Sequence, residues 1–148
     1  MATQIGTGVR LYGYNLENWI FTFHASDDIK TAWENWRKGA AGSYNPVGRA
    51  VESDFGTKAG QVKLAADNAT VFGRIESVEI REQEGIQVVA VALKFLQKMP
   101  KSAAAIGVGV SVQGAGEGLV KSAAADVNNM IVPEAANAAA SEVIVIKQ

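Results

Sequence analysis

The 148-residue chain contains no cysteine, which excludes disulfides, thiolate metal sites and a cysteine nucleophile and leaves the fold indifferent to redox compartment. Histidine is almost missing: His24 stands alone. Neither sign of charge is in excess, with 14 basic and 15 acidic residues and a net charge of -1. The basic stripe of a nucleic-acid binder is therefore lacking, and no nucleic-acid partner is expected. Apolar runs are short and broken by charge, far below the roughly 20 residues that span a bilayer, so no membrane partner is expected either. The opening Met1–Gly6 has neither the basic nor the apolar region of a secretory signal, so synthesis and retention in a cytoplasm are expected. The length suits one domain, large enough to bury about 68–70% of its unfolded surface without staples.

What is present is unevenly distributed. Aromatic residues crowd the chain before Gly56: Tyr12, Tyr14, Trp19, Phe21, Phe23, Trp33, Trp36, Tyr44 and Phe55, with only Phe72 and Phe95 later. The rest is lean, built of Val, Ala, Gly and Ile. This divides the chain into residues 1–45, an arm plus an aromatic strand-helix segment, and residues 46–148, a β-barrel domain.

Met1–Tyr14 has several glycines and no helical period, and reads as an extended arm. Trp19, Phe21 and Phe23 alternate with Ile20, Thr22 and His24, the period of a strand. Ser26 is placed to cap a helix with Asp27 and Asp28 in its first turn. Ile29, Trp33 and Trp36 share one face of that helix, and Gly39 suits its exit. From Val47 short strands alternate with turns. Val47–Val51, Gln61–Ala65, a third from Thr70 with Gly73 marking a bulge, then Ile86–Phe95 after the charged tip Glu82–Gly85. Both faces of Ile86–Phe95 are apolar, which predicts a central strand. Val108, Val110 and Val112 alternate with small residues, and Leu119–Lys121, Met130–Val132 and Glu142–Lys147 are the last strand candidates. Ala135–Ala140 suits a helical turn or a loop. The predicted fold is mainly β, a small barrel or sandwich of short antiparallel strands with an extended N-terminal arm and one short α-helix.

Chemistry is hard to place on this sequence. A lone histidine is more often structural than catalytic, and no serine sits in a nucleophile elbow. Asp27-Asp28 reads as helix N-terminal charge, and Glu79, Glu82 and Glu84 as a solvated hairpin tip. Gly107-Val-Gly109 and Gly114–Gly118 lack the Lys-Ser/Thr ending of a phosphate loop and read as tight turns. No catalytic residue, metal or cofactor is expected. Trp19, Trp33 and Trp36 read first as a small core, and otherwise as a docking face, since tryptophan is enriched at interface hot spots.

Residues Pro46 to Lys121 resemble the capsid decoration (cement) proteins of tailed bacteriophages. Carrying the resemblance are Val47-Gly-Arg-Ala-Val51, Gly60-Gln-Val-Lys-Leu-Ala-Ala-Asp67, Val71-Phe-Gly-Arg-Ile-Glu-Ser-Val78 and Glu84-Gly-Ile-Gln-Val-Val-Ala-Val91. Ile106-Gly-Val-Gly-Val110 and Gly114-Ala-Gly-Glu-Gly-Leu-Val-Lys121 continue it. The resemblance implies a small barrel that binds the outer surface of an icosahedral head and reinforces it against packaged DNA. Its partners would be the major capsid protein and itself, as dimer or trimer. It would be made in the bacterial host cytoplasm and end on the virion. On this reading the contact residues are Ile5, Val9, Leu11, Tyr12 and Tyr14 of the arm, with Trp19, Trp33 and Trp36. The aromatic segment up to Tyr44 departs from the lean family pattern. Two other classes stand beside it: a carbohydrate-binding or adaptor barrel stacking ligands on exposed tryptophans, and an enzyme pairing His24 with the Glu79–Glu84 carboxylates.

Overall fold

A computed structural model describes residues 19–124 and 130–148. Strand β1 (Trp19–Ala25) leads into helix α1 (Asp27–Arg37). Strands β2 (Ala50–Ser53), β3 (Gln61–Leu64) and β4 (Gly73–Arg81) follow, then a short 3-10 turn at Glu82–Glu84 and the long β5 (Ile86–Pro100). The remainder carries β6 (Val112–Gly114), β7 (Val120–Ser122), β8 (Met130–Ile131) and β9 (Glu142–Lys147). The mainly β fold with one α-helix is as the sequence pattern predicts.

β1 pairs antiparallel with β5 and parallel with β3, while β3, β2, β4 and β5 pair in turn. The five strands thus form a ring, closed unevenly. β1 follows β5 from Trp19 to His24 but meets β3 only at His24 and Ala25. Inside lie Val51, Val62, Leu64, Ile75, Val89 and Val91. Ile29 and Ala32, one turn apart on α1, pack into the same cluster, so the helix caps one end of the ring. An 11-residue helix is marginal alone in water; this burial stabilises it.

The length of β5 makes a second lobe possible. Beyond the ring, Phe95–Pro100 pairs with β9, and β9 with β8. Phe95 and Met99 head a second core with Ile106, Val112, Val120, Met130, Val132, Val143 and Val145. From 103 to 109 and from 133 to 139 the chain runs through the same succession of bend, bridge and turn on the way to a strand. The two stretches are antiparallel and interlocked: Ile106 and Ala136 exchange N–H···O bonds of 2.8 and 2.9 Å, and the Gly109 N–H donates to Val132 O at 2.8 Å. Ala135–Ala140 is accordingly a bridged loop. The β6–β7 turn locks this lobe to the ring, the Ala50 N–H donating to Gly118 O at 2.8 Å. Gly118 has φ +75°, and a Cβ there would lie 2.8 Å from Arg49 Cβ.

Several expected boundaries shift, each for a backbone reason. The strand expected over Val47–Val51 runs from Ala50 to Ser53, because Gly48 takes φ +91° and the Val47 N–H donates to Asn45 Oδ1 at 3.0 Å in a turn. The strand expected through Val108 and Val110 begins only at Val112, since Gly109 turns at φ +79°. Gly73 does not mark the bulge, which lies between Ile75 and Ser77. Its role is close approach: a Cβ there would sit 2.5 Å from Val91 Cγ1 and 2.6 Å from Ala92 O. Ser26 stands at the helix N-cap but makes no side-chain cap bond to the backbone; its hydroxyl donates to Asp28. The Asp28 carboxylate accepts from the Ile29 N–H at 2.7 Å and the Leu64 N–H at 3.2 Å, pinning α1 to β3.

Candidate interface

The alternation of β1 puts Trp19, Phe21 and Phe23 on the side of Val89 and Val91, their direct partners on β5 being Lys94, Val91 and Val89. Only Phe23 reaches the ring interior. It packs against Phe72 and Phe55, with centroids 5.4 and 6.5 Å away, and Phe55 meets Phe72 at 5.6 Å. Trp19, Ile20, Phe21 and Phe55 remain 45%, 47%, 50% and 48% exposed. Lys94 Nζ lies 3.8 Å from the Trp19 ring centroid, a cation–π contact. The expectation of a small tryptophan core is not met. Trp19 lies at the end of the ring away from α1, because nothing described pairs with β1 beyond His24 on that side.

Among the described residues no strand pairs with that side of β1 before His24. The His24 N–H donates to Gly60 O at 2.9 Å, toward β3. Backbone direction alternates along a strand, so the N–H and C=O groups of Thr22 and Ile20 point the same way, past the start of β3. Open edges with apolar side chains are templates for strand addition.

On α1, Trp33 and Trp36 pack together at 5.5 Å, with the Arg37 guanidinium 5.9 Å from the Trp33 centroid. Trp33 is half-buried and Trp36 exposed; the buried face of the helix is Ile29 and Ala32. Lys30 bridges to Glu82 at 3.0 Å. That bond and charge hold the Lys30 pKa above its ordinary value and that of Glu82 below. Among the described residues, Val108 and Ile131 are the exposed large apolar side chains of the second lobe. Of the arm residues expected at an interface, Ile5, Val9, Leu11, Tyr12 and Tyr14 lie outside the described residues.

A cleft of about 630 Å³ opens between α1, the loop Ala40–Tyr44 and Glu117. Arg49 lies over the Tyr44 ring at 3.6 Å and its Nη1 donates to Glu117 O at 2.7 Å. Burial and the Glu117 charge push the Tyr44 phenol up, and Arg49 opposes them. Two of the cleft carboxylates have structural partners: Asp28 holds the two N–H groups named above, and Asp27 accepts from Gln87 Nε2 at 3.1 Å.

His24 and Glu79 both stand opposite Val88, on the two sides of β5. Two strand spacings, roughly 10 Å, separate them, too far for a proton to pass directly. Among the described residues no cluster of three or more His, Asp or Glu could hold a metal ion, and no helix is long and apolar enough to cross a membrane.

One buried polar group escapes any local pattern. Lys101 is 5% exposed, and its ammonium donates to the carbonyls of Ser102, Asn137 and Ala140 at 2.9, 3.0 and 3.0 Å. In sequence it is an ordinary lysine between Pro100 and Ser102. Phe55, Val108 and Ile131 were missed as surface residues for the same reason: their exposure depends on where the ring and the interlocked loops end. No protein-family model matches the chain, and no curated protein matches it.

Proposed function

We propose that this chain is a structural subunit, a decoration protein bound to the outer surface of a tailed-phage head, where it reinforces the shell against internal DNA. Its partners on this reading are the major capsid protein and further copies of itself, with no nucleic acid, membrane or cofactor. The observation that carries it is the placement of large exposed apolar side chains on three parts of one small fold. These are Trp19, Ile20, Phe21 and Phe55 at the ring mouth, Trp36 on α1, and Val108 and Ile131 on the second lobe. Scattered single apolar residues need no explanation, but a clustered aromatic mouth, beside a strand edge that has no partner among the described residues, suits protein contact. A subunit with several contact faces can tie together more than one neighbour, and repeated weak sites add by avidity. The family-like residues support the reading too: they fall on β2 to β7 and on the glycine turns between them.

Co-sedimentation with mature heads lacking the protein tests this, with unexpanded proheads as control. Saturable binding to mature heads is expected, at a copy number set by capsid symmetry. No binding to either particle would sink the proposal.

A further inference from the structure

Ring and second lobe meet along a seam, and the seam holds a recess. Val71 belongs to the core of the second lobe, while Phe72 and Leu93 pack against that of the ring. Beside them opens a notch of about 180 Å³ lined by Ser53, Thr70, Val71, Phe72, Leu93 and Lys147. Four separate segments supply these residues: the end of β2, the run into β4, the middle of β5 and the end of β9. Recesses between packed units are a preferred place for small ligands.

The notch is chemically two-sided. Phe72 and Leu93 give it apolar wall, Ser53 and Thr70 are hydroxyl residues, and Lys147 carries an ammonium. Lys147 is half-buried, and its Nζ donates to Leu93 O at 3.0 Å, which holds the charge beside the apolar wall. An ammonium has three donors, so this bond leaves capacity for a further acceptor. None of the six lining residues is acidic. Burial, then the like charge of Lys94, hold the Lys147 pKa below its ordinary value. A cation partly desolvated beside a second cation lacks compensation, and an anion seated against it would supply that through charge-assisted hydrogen bonds. The volume equals the liquid share of about six waters, which suits a molecule of a few carbon atoms.

We propose that this notch binds a short-chain aliphatic carboxylate, its oxygens taken by Lys147 with the hydroxyls of Ser53 and Thr70, and its chain laid against Phe72 and Leu93. Such binding concerns the free protein and does not rest on the capsid reading.

Titration of the full chain with butyrate, followed by amide chemical shifts in NMR, tests it. Saturable shifts are expected at Ser53, Thr70, Phe72, Leu93 and Lys147, with a Kd in the millimolar range. Butyramide has nearly the same shape without the charge and should bind at least about tenfold more weakly. Lys147→Met keeps most of the stem and removes the ammonium, and should weaken butyrate by a similar factor, while Lys98→Met, at an exposed position outside the notch, should leave it unchanged. The butyramide comparison uses the wild-type chain and stays decisive if Lys147→Met folds poorly. Absence of saturable shifts at the notch overturns the proposal, as does equal binding of butyramide and butyrate. Unchanged butyrate affinity in a folded Lys147→Met chain overturns it too.

Discussion

Lys101→Met removes the ammonium and keeps most of the apolar stem. The native group makes three hydrogen bonds to backbone carbonyls. Such bonds from a charged donor contribute about 1.5–3 kcal/mol each, net of the exchange with water. The three share one ammonium and do not add fully. Asn137 O also accepts from the Ala140 N–H at 3.1 Å, so Ser102 and Ala140 lose most. A loss of about 3 kcal/mol follows, in a lobe where Lys101 also ties its own N–H to Ser141 O at 3.0 Å. At this chain length 1 kcal/mol moves the melting temperature by about 2–4 °C, so calorimetry should show a fall of roughly 6–12 °C. Lys98→Met, the same change at an exposed position, is the control and should stay within about 0.5 kcal/mol of wild type. If Lys101→Met melts within about 2 °C of wild type, the ammonium is not holding the two loops together.

Gly73→Ala should destabilise by about 1–3 kcal/mol, because its Cβ would meet Val91 and the Ala92 carbonyl at 2.5 and 2.6 Å; denaturant midpoints will show this. Trp36→Ala, on the exposed side of α1, should cost under about 1 kcal/mol in melting while weakening head binding in co-sedimentation. Asp54 has its pKa held below the ordinary carboxylate value by hydrogen bonds from Gln61 and then Thr57. Folding therefore favours its ionised form, and the stability this adds is present above the ordinary value and lost as pH falls through the lowered one. Asp54→Asn should accordingly lose less stability than wild type between pH 6 and about pH 3, read from melting temperatures across that range.

Local patterns in the sequence carry much of this fold. Period-two aromatics place β1, and the i, i+3 pair Ile29 and Ala32 caps the ring although attention falls first on the tryptophans beside them. The β4–β5 hairpin is readable from its charged tip, with Gly85 at φ +71° where a left-handed residue is required. Illegible are features that need two distant segments at once. Gly73 looks like a bulge signal until β5 is laid against it. Val108 and Val110 look like a strand until Gly109 donates to Val132, twenty-three positions away in the interlocked loop. Lys101 looks solvated until three carbonyls from two loops converge on it.

The tryptophans show why surface exposure is harder to read from sequence than the fold. Helix periodicity groups Trp33 and Trp36 with Ile29, and strand periodicity groups Trp19 with Phe21 and Phe23, so both patterns suggest burial. Which members are buried is set by how far the partner strands extend. β3 reaches β1 only at His24 and Ala25, so Phe23 falls inside the ring while Phe21 and Trp19, one and two repeats further out, fall at its mouth. Extending the pairing by four residues would turn the same side chains into core. Among the described residues, the exposure of this mouth is set by where β3 stops and not by the pattern of β1 itself.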